Sequence, residues 1–182
     1  VIVGRGTGNV ASNTAVGNTA LNANTTGASN SAFGYRSLYS NTIGSSNSAF
    51  GRYALFYNTT GVRNTAVGIE SMSFNTTGTD NIAIGYQTLA NNISGTRNTA
   101  IGYQAGQLNT TGSGNVFIGN NAGSTVVSSN KLYIDNASSS SDDALIYGDF
   151  GSTKVVNLNG RLRFNTGGVA GGNTITMPTS RG

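Results

Sequence analysis

The sequence predicts an all-β protein: a parallel β-solenoid, or β-roll, of about seven coils, followed by a small C-terminal β-module. A phrase of the form Asn-x-Ala-x-Gly begins at residues 13, 30, 47, 64, 81 and 98, and a seventh copy with phenylalanine in place of alanine begins at residue 115, so that each copy starts 17 residues after the one before. Glycine recurs at two fixed places in the unit, which excludes a helical repeat because glycine destabilises helix interiors. Seventeen residues suit one coil made of two short strands and two turns.

We number each 17-residue unit from its asparagine, and most positions are nearly invariant. Position 3 is alanine until Phe117, position 4 is large and apolar, and position 5 is always glycine. Position 9 is leucine or methionine until Gly106 and Gly123, position 12 is asparagine, and position 15 is glycine. Equivalent positions in a solenoid stack at about 4.8 Å, which predicts a rod of about 34 Å. We expect the asparagines to bond to one another along the stack and glycine to supply positive φ at each corner.

Adjacent apolar positions in the unit predict an oligomer. Positions 3 and 4 are both apolar, while position 8 is small and position 9 is large. Because neighbouring residues of a strand point to opposite faces, we expect the small residue inside the coil and the large one outside. A stripe of exposed large side chains favours a partner with the same stripe. The predicted interface comprises Phe33, Leu38, Phe50, Leu55, Ile84, Leu89 and Ile101.

Three regions follow from changes along the chain. Residues 1–129 are the repeat solenoid, with an atypical first coil at 1–12, and "VIVG" at the start matches "TAVG", so we interpret the chain as a piece of a longer protein. Residues 130–164 read as alternating strands with charged residues, typical of a module that caps an open solenoid end. Residues 165–182 are rich in glycine and are expected to form a linker or the entry to a shaft.

Two known groups of proteins have repeats that these phrases resemble. "NTAIGYQA" at 98–105 resembles the β-roll heads of trimeric autotransporter adhesins, whose unit is shorter than 17 residues. The array together with "NKLYIDN", "ALIYGDF" and "VVNLNGRLRF" is similar to repeat-containing tail fibres of phages and phage-like particles. This resemblance implies an intertwined homotrimer, other fibre or baseplate proteins as partners, and a location on the virion surface or outside the cell. It transfers no catalytic residues.

Composition argues against several functions. The chain has no histidine, no cysteine and only six acidic residues, so we expect no enzyme, no metal site and no cofactor. Asp142 could pair with Asp143 or Asp149 as in a glycosidase, but a solvated serine-rich loop is the better explanation of these aspartates. The arginines of the repeats are scattered rather than clustered, which speaks against nucleic-acid binding. No apolar run approaches the roughly 20 residues of a membrane-spanning helix, so no membrane insertion is expected.

Two sets of residues are candidates for binding or modification. Aromatic residues near arginine and asparagine are typical of carbohydrate-binding grooves, although packing between coils or subunits also explains them. The candidate ligand surface, for which a host-surface glycan is the expected partner, comprises Tyr35, Arg52, Tyr53, Tyr57, Tyr86 and Tyr103. Six asparagines satisfy Asn-x-Ser/Thr, for which glycosylation and structural ladders are alternatives: Asn24, Asn58, Asn75, Asn92, Asn109 and Asn136.

Three functional hypotheses follow from the sequence. The first is a structural fibre segment, a rigid trimeric rod that also presents a receptor-binding surface. The second is the head of a cell-surface trimeric adhesin. The third is ice binding, because threonines of the "NTT" phrases at 24–26, 58–60, 75–77 and 109–111 recur on one edge, although "NTIG" and "NISG" interrupt the row.

Overall fold

The computed structural model describes residues 3–136, 144–151 and 154–158, and these residues form a parallel β-solenoid extended by a C-terminal hairpin region. No helix occurs within those ranges. The eleven strands are β1 (Val3–Gly4), β2 (Thr14–Val16), β3 (Ser31–Phe33), β4 (Ser48–Phe50), β5 (Thr65–Val67), β6 (Ile82–Ile84), β7 (Thr99–Ile101), β8 (Val116–Ile118), β9 (Lys131–Ile134), β10 (Ile146–Asp149) and β11 (Val155–Leu158). The predicted fold class is confirmed.

All strands of the described residues belong to one sheet, in which they follow sequence order. From β2 to β8 neighbouring strands are parallel and in register, so that Ala32 pairs with Ala49 and Phe33 with Phe50. The coil between β8 and β9 is one residue shorter, because Val116 pairs with Leu132. A constant step of 17 residues therefore places each repeat position directly beside its equivalent in the next coil.

Each coil contains one regular strand, not the two that the sequence suggested. Positions 6–11 do bond from coil to coil, since Leu38 N donates to Ala54 O at 3.0 Å and Ser40 N donates to Phe56 O at 3.0 Å. Positions 7 and 9, however, have positive φ in every repeat coil, with 56° at Arg36 and 49° at Leu38. Left-handed residues break the alternation of an extended strand. The second wall of the coil is consequently a stacked turn.

This turn geometry overturns one part of the interface prediction. Positions 3 and 8 point into the coil as expected, but the large residue of position 9 does too, and Leu38, Leu55 and Leu89 are completely buried within the single chain. The left-handed residues on either side of position 8 bring the side chains of positions 8 and 9 to the same side of the backbone. Assigning Leu38, Leu55 and Leu89 to a surface that meets a partner was wrong, because these side chains are the core of their own coils.

Position 4 lies on the outer face of the sheet, as the sequence predicted. Phe50 is 41% exposed, and Ile84 and Ile101 are exposed to a similar degree. Residues directly opposite one another on paired strands share a face, so strand register extends this row to both ends of the sheet. We call this row the apolar stripe: Val3, Val16, Phe33, Phe50, Val67, Ile84, Ile101, Ile118, Ile134, Ile146 and Leu158. Every strand of the sheet contributes one residue to it.

Asparagine ladders inside the coil confirm a second expectation. At position 12, Asn58 Nδ2 donates to Asn41 Oδ1 at 2.8 Å, and Asn75 Nδ2 donates to Asn58 Oδ1 at 2.7 Å. At position 1, the backbone N–H of Asn47 donates to Asn30 Oδ1 at 2.9 Å. The side chains are buried, and burial without partners would cost about 1–3 kcal/mol for each polar group. Each ladder therefore fixes the register of the stack.

Glycine serves two different purposes in the coil. At position 5 the backbone is left-handed, with φ of 137° at Gly34, as predicted. At position 15 the φ is not positive, so the expected reason for glycine there was wrong. A Cβ on Gly44 would lie 2.5 Å from both Asn41 Oδ1 and Gly61 O, so only glycine allows the coils and the ladder to approach this closely.

The ends of the sheet differ from its parallel centre. Strand β1, in the first coil that the sequence marks as atypical, pairs antiparallel with β2. At the other end β9 is parallel to β8, and β10 and β11 follow antiparallel. These last strands fall in the region predicted as a cap, and they continue the sheet of the solenoid. The glycine-rich segment 165–182 lies outside the described residues.

Candidate functional site

An aromatic cluster covers one side of the second to fourth repeat coils. Rings at the same position stack between coils: the centroids of Tyr39 and Phe56 are 5.1 Å apart, and those of Tyr57 and Phe74 are 5.3 Å apart. Tyr53 meets Phe56 edge-on at 5.2 Å. Such pairs stabilise by about 0.5–1.5 kcal/mol beyond the area that they bury. Aromatic residues that are 17 positions apart in the sequence therefore form a continuous aromatic surface.

The stack at position 10 ends at Ser73, where a cleft opens. Tyr39 and Phe56 occupy this position in the two preceding coils, and Ser73 is too small to cover the ring of Phe56. The resulting cavity has a volume of about 400 Å³. We call it the aromatic cleft, and it is lined by Arg36, Tyr53, Phe56, Tyr57, Glu70, Ser73 and Phe74.

Charged groups are held in fixed positions around the aromatic cleft. The guanidinium carbon of Arg36 lies 5.2 Å from the ring centroid of Tyr35, and that of Arg52 lies 5.0 Å from the centroid of Tyr53. Glu70 accepts hydrogen bonds from Arg52 Nη2 at 3.3 Å and from Gln87 Nε2 at 2.8 Å. These groups suit a ligand that has hydroxyl groups and an apolar face. The hydroxyl groups can bond to the carboxylate and the guanidinium groups, and the apolar face can lie on an aromatic ring.

The structure brings together four of the six predicted ligand residues. Tyr53 and Tyr57 line the aromatic cleft, Arg52 holds Glu70, and Tyr35 packs edge-on against Tyr53 at 5.4 Å. Tyr86 and Tyr103 stack on each other further along the rod, 5.2 Å apart, and do not line the cleft.

Sequence reasoning missed several lining residues of the cleft. Arg36, Glu70 and Ser73 were not among the predicted ligand residues, nor were Phe56 and Phe74, although these two belong to the same aromatic columns. The change from two aromatic residues to serine at position 10 was the available signal, because a missing ring in a stacked column leaves a gap.

A second cavity adjoins the aromatic cleft. Its volume is about 670 Å³, and no charged side chain lines it. Ile93 and Leu108 are exposed on it, as are the rings of Tyr57 and Phe74. We call this cavity the apolar groove, and its lining residues are Ser40, Tyr57, Thr59, Phe74, Thr76, Asn91, Ile93, Leu108 and Thr110.

Five of the six candidate glycosylation sites are buried in the position-12 ladder: Asn24, Asn58, Asn75, Asn92 and Asn109. Each side-chain nitrogen donates to the glycine carbonyl three residues further on, at 2.9–3.2 Å. The nitrogen that would carry a sugar is therefore engaged inside the folded coil. Of the six, only Asn136 is exposed.

Threonines at position 13 also serve the stack. The hydroxyl groups of Thr25, Thr42, Thr59 and Thr76 donate to a backbone carbonyl of the next coil, at 2.9–3.1 Å. A row of threonines that is already engaged by its own backbone gives no specific support to an ice-binding surface.

One acidic residue of the C-terminal region, Asp149, has structural partners for both of its carboxylate oxygens. Asp149 Oδ2 accepts from Lys131 Nζ at 2.6 Å across β9 and β10, and Asp149 Oδ1 accepts from Gly151 N at 2.8 Å. These bonds hold the pKa of Asp149 below its ordinary value. Asp142 and Asp143 lie outside the described residues. Within the described ranges, no group of three acidic side chains gathers as a metal site would require.

Comparisons with known proteins found no matching family model, no similar curated protein and no similar solved structure. The described residues contain no helix with the length and apolar character of a membrane span. The features that bear on function are the apolar stripe, the aromatic cleft and the apolar groove.

Proposed function

We propose that this chain is a rigid, non-catalytic segment of a fibre on a virion or phage-like particle, assembled as a homotrimer. The observation that carries the proposal is the apolar stripe. It runs through all eleven strands, and many of its side chains are about two-fifths exposed in the single chain. Exposed apolar rows of this length are characteristic of surfaces that meet a partner.

The geometry of the stripe favours a second copy of the same chain as that partner. Its residues lie in register along the rod, so copies arranged around an axis parallel to the rod would place each layer against the same layer of its neighbours. Phe33 and Phe50, which stack at 4.9 Å, would meet aromatic residues, and the isoleucines of later coils would meet isoleucines. Burial would contribute about 25 cal/mol for each Å² of apolar surface removed from water.

The aromatic cleft supports an additional role in attachment to a host-surface glycan. The cleft shares no residue with the apolar stripe, so assembly through the stripe leaves it out of the interface. Three copies on one stiff rod would gain avidity from weak single contacts. Other fibre or baseplate proteins would join at the ends of such a segment.

The oligomeric state in solution tests this proposal directly. Light scattering coupled to size-exclusion chromatography should give three times the mass of the chain, which is 18.5 kDa. A monodisperse monomer would remove the proposal. Crosslinking of cysteines introduced singly at Ile84 and at Ile134 should then join equivalent residues of different copies.

A trimeric adhesin head on a cell surface is the alternative that the stripe supports equally well. The sequence that follows residue 182 in the complete gene separates the two. A self-cleaving chaperone domain there would favour the fibre, and a coiled coil with a membrane anchor would favour the adhesin.

A further inference from the structure

The aromatic cleft and the apolar groove share one wall. Tyr57 and Phe74 line both cavities, and their rings stack with centroids 5.3 Å apart and planes 21° apart. The two cavities are therefore neighbours, separated by one layer of aromatic side chains. A ligand that crosses the edges of these two rings contacts both.

The two cavities differ sharply in polarity. The aromatic cleft contains Arg36 and Glu70, which offer donors and acceptors for hydroxyl groups. The apolar groove has no charged lining residue, and the apolar side chains of Phe74, Ile93 and Leu108 are exposed in it. Apolar area is best covered by apolar groups, whereas the charged cleft is best occupied by a polar group that hydrogen bonds.

The repeat pattern shows that the coil does not need an apolar groove. Position 13 is threonine in the other regular coils, and the hydroxyl of Thr76 donates to the backbone carbonyl of Ile93 at 3.0 Å. In the next coil, position 13 is Ile93 instead of threonine. Its side chain is 46% exposed, so it contributes little to the core of its own coil. At position 11, Asn91 precedes Leu108 in the stack, which shows that a polar residue also fits there.

We propose that the cleft and the groove form one binding site for an amphiphilic saccharide, that is, a sugar bearing an alkyl or acyl substituent. The sugar ring stacks on Phe56 in the aromatic cleft, with its hydroxyl groups bonded to Glu70 and Arg36. The substituent passes over Tyr57 and Phe74 and lies in the apolar groove against Ile93 and Leu108. This inference rests on the glycan-binding part of the proposed function and narrows its ligand class.

Matched pairs of glycosides test the proposal. Methyl and hexyl glycosides of glucose, galactose, mannose and N-acetylglucosamine are titrated into the assembled protein by isothermal calorimetry. For a sugar that binds, the hexyl glycoside should bind at least tenfold more tightly than the methyl glycoside, because each buried methylene strengthens binding up to about fourfold. Equal dissociation constants within every pair would overturn the two-part site and leave glycan binding in the cleft intact.

Two variants copied from the repeat itself locate each half of the ligand. Ile93→Thr with Leu108→Asn introduces residues that other coils carry at the same positions, so the coil should fold. In this double variant the ratio of the two dissociation constants should fall to about one. If the hexyl advantage persists, the chain binds elsewhere and the proposal is wrong.

Glu70→Gln tests the sugar half, since Gln87 and Gln104 occupy the same position in later coils. It should weaken both members of a pair about tenfold and leave their ratio unchanged. If no glycoside binds the wild-type protein, both the two-part site and the proposed glycan binding are wrong. The proposed assembly of the rod is tested separately, by the mass of the protein in solution.

Discussion

The ring of Phe117 fills the space between the backbones of Gly106 and Gly123. A Cβ on Gly106 would lie 2.5 Å from Cδ2 of Phe117, and a Cβ on Gly123 would lie 2.5 Å from its Cε1. In the five coils that start at residues 13 to 81, position 3 is alanine and position 9 is leucine or methionine. In the last repeat coil the large residue is at position 3, where Phe117 enters the core from the sheet. Position 9 is Gly123, so no large side chain enters the core from the turn.

This exchange predicts a compensation that can be measured. Phe117→Ala should lower the free energy of unfolding by about 3–5 kcal/mol, because it leaves a cavity in the core. Adding Gly106→Leu and Gly123→Leu should recover most of that loss, since leucine already adopts φ near 50° at position 9 in other coils. Urea unfolding followed by circular dichroism gives the comparison, and a triple variant less stable than Phe117→Ala would contradict the exchange.

Adjacent residues of β6 should respond in opposite ways to substitution. Ile84→Asp places charges in the proposed trimer interface and should dissociate the rod before the coil unfolds, at a cost of several kcal/mol per subunit. Ala83→Leu should instead overpack the coil and lower its stability by about 1–3 kcal/mol. Light scattering separates the two outcomes, with Thr60→Asp at an exposed turn position as the control. Unchanged mass in Ile84→Asp would count against assembly through the stripe.

The asparagine ladder should be most sensitive in its interior. Asn58 accepts from Asn75 and donates to Asn41 and to Gly61 O, so Asn58→Ala breaks three buried hydrogen bonds and should cost about 3 kcal/mol. The side-chain nitrogen of Asn109 donates only to Gly112 O among the described residues, and the side-chain Oδ1 has no partner within them. Asn109→Ala should therefore cost about 1 kcal/mol. Equal shifts in the urea midpoint for the two variants would show that the ladder bonds contribute little.

The ion pair between β9 and β10 predicts a dependence of stability on pH. The hydrogen bond from Lys131 lowers the pKa of Asp149, so the carboxylate stabilises the folded state above the ordinary carboxyl pKa, and this contribution disappears as pH falls through the lowered value. The same bond raises the pKa of Lys131, whose contribution is lost only at strongly alkaline pH. Asp149→Asn should thus destabilise the protein at pH 7, and thermal unfolding should show this difference from the wild-type protein shrinking as the pH falls through the lowered pKa. A difference that stays constant with pH would contradict this cause.

Much of the fold could be predicted because the repeat has a fixed length. A constant step fixes register, and register places Ala83 beside Ala100 and Ile84 beside Ile101 without any knowledge of the turns. The orientation of Leu89 could not be predicted in the same way. It depends on left-handed backbone at Gln87 and Leu89, which neither residue type favours, and a strand model assigns the wrong face.

The aromatic cleft was only partly predictable for a related reason. Aromatic residues are visible in the sequence, but a cleft is defined by what is missing from a stack. The cleft is open because the side chain of Ser73 is small. Glu70, at position 7, lines the cleft, and its carboxylate is held by hydrogen bonds from Arg52 and Gln87. Such features depend on neighbours 17 or 18 residues away in both directions along the chain.

The regular part of the solenoid ends at β9. The coil before β9 is one residue shorter than the others, and β10 then runs antiparallel to β9. Between β2 and β8 all neighbouring strands are parallel with the same 17-residue register, so a 17-residue cassette inserted there would preserve the strand pairing on both of its sides. Each cassette would lengthen the molecule by one increment of about 4.8 Å and leave both ends as they are. The architecture is in this sense modular, and duplication or deletion of whole units would change the length of the solenoid while keeping its strand register.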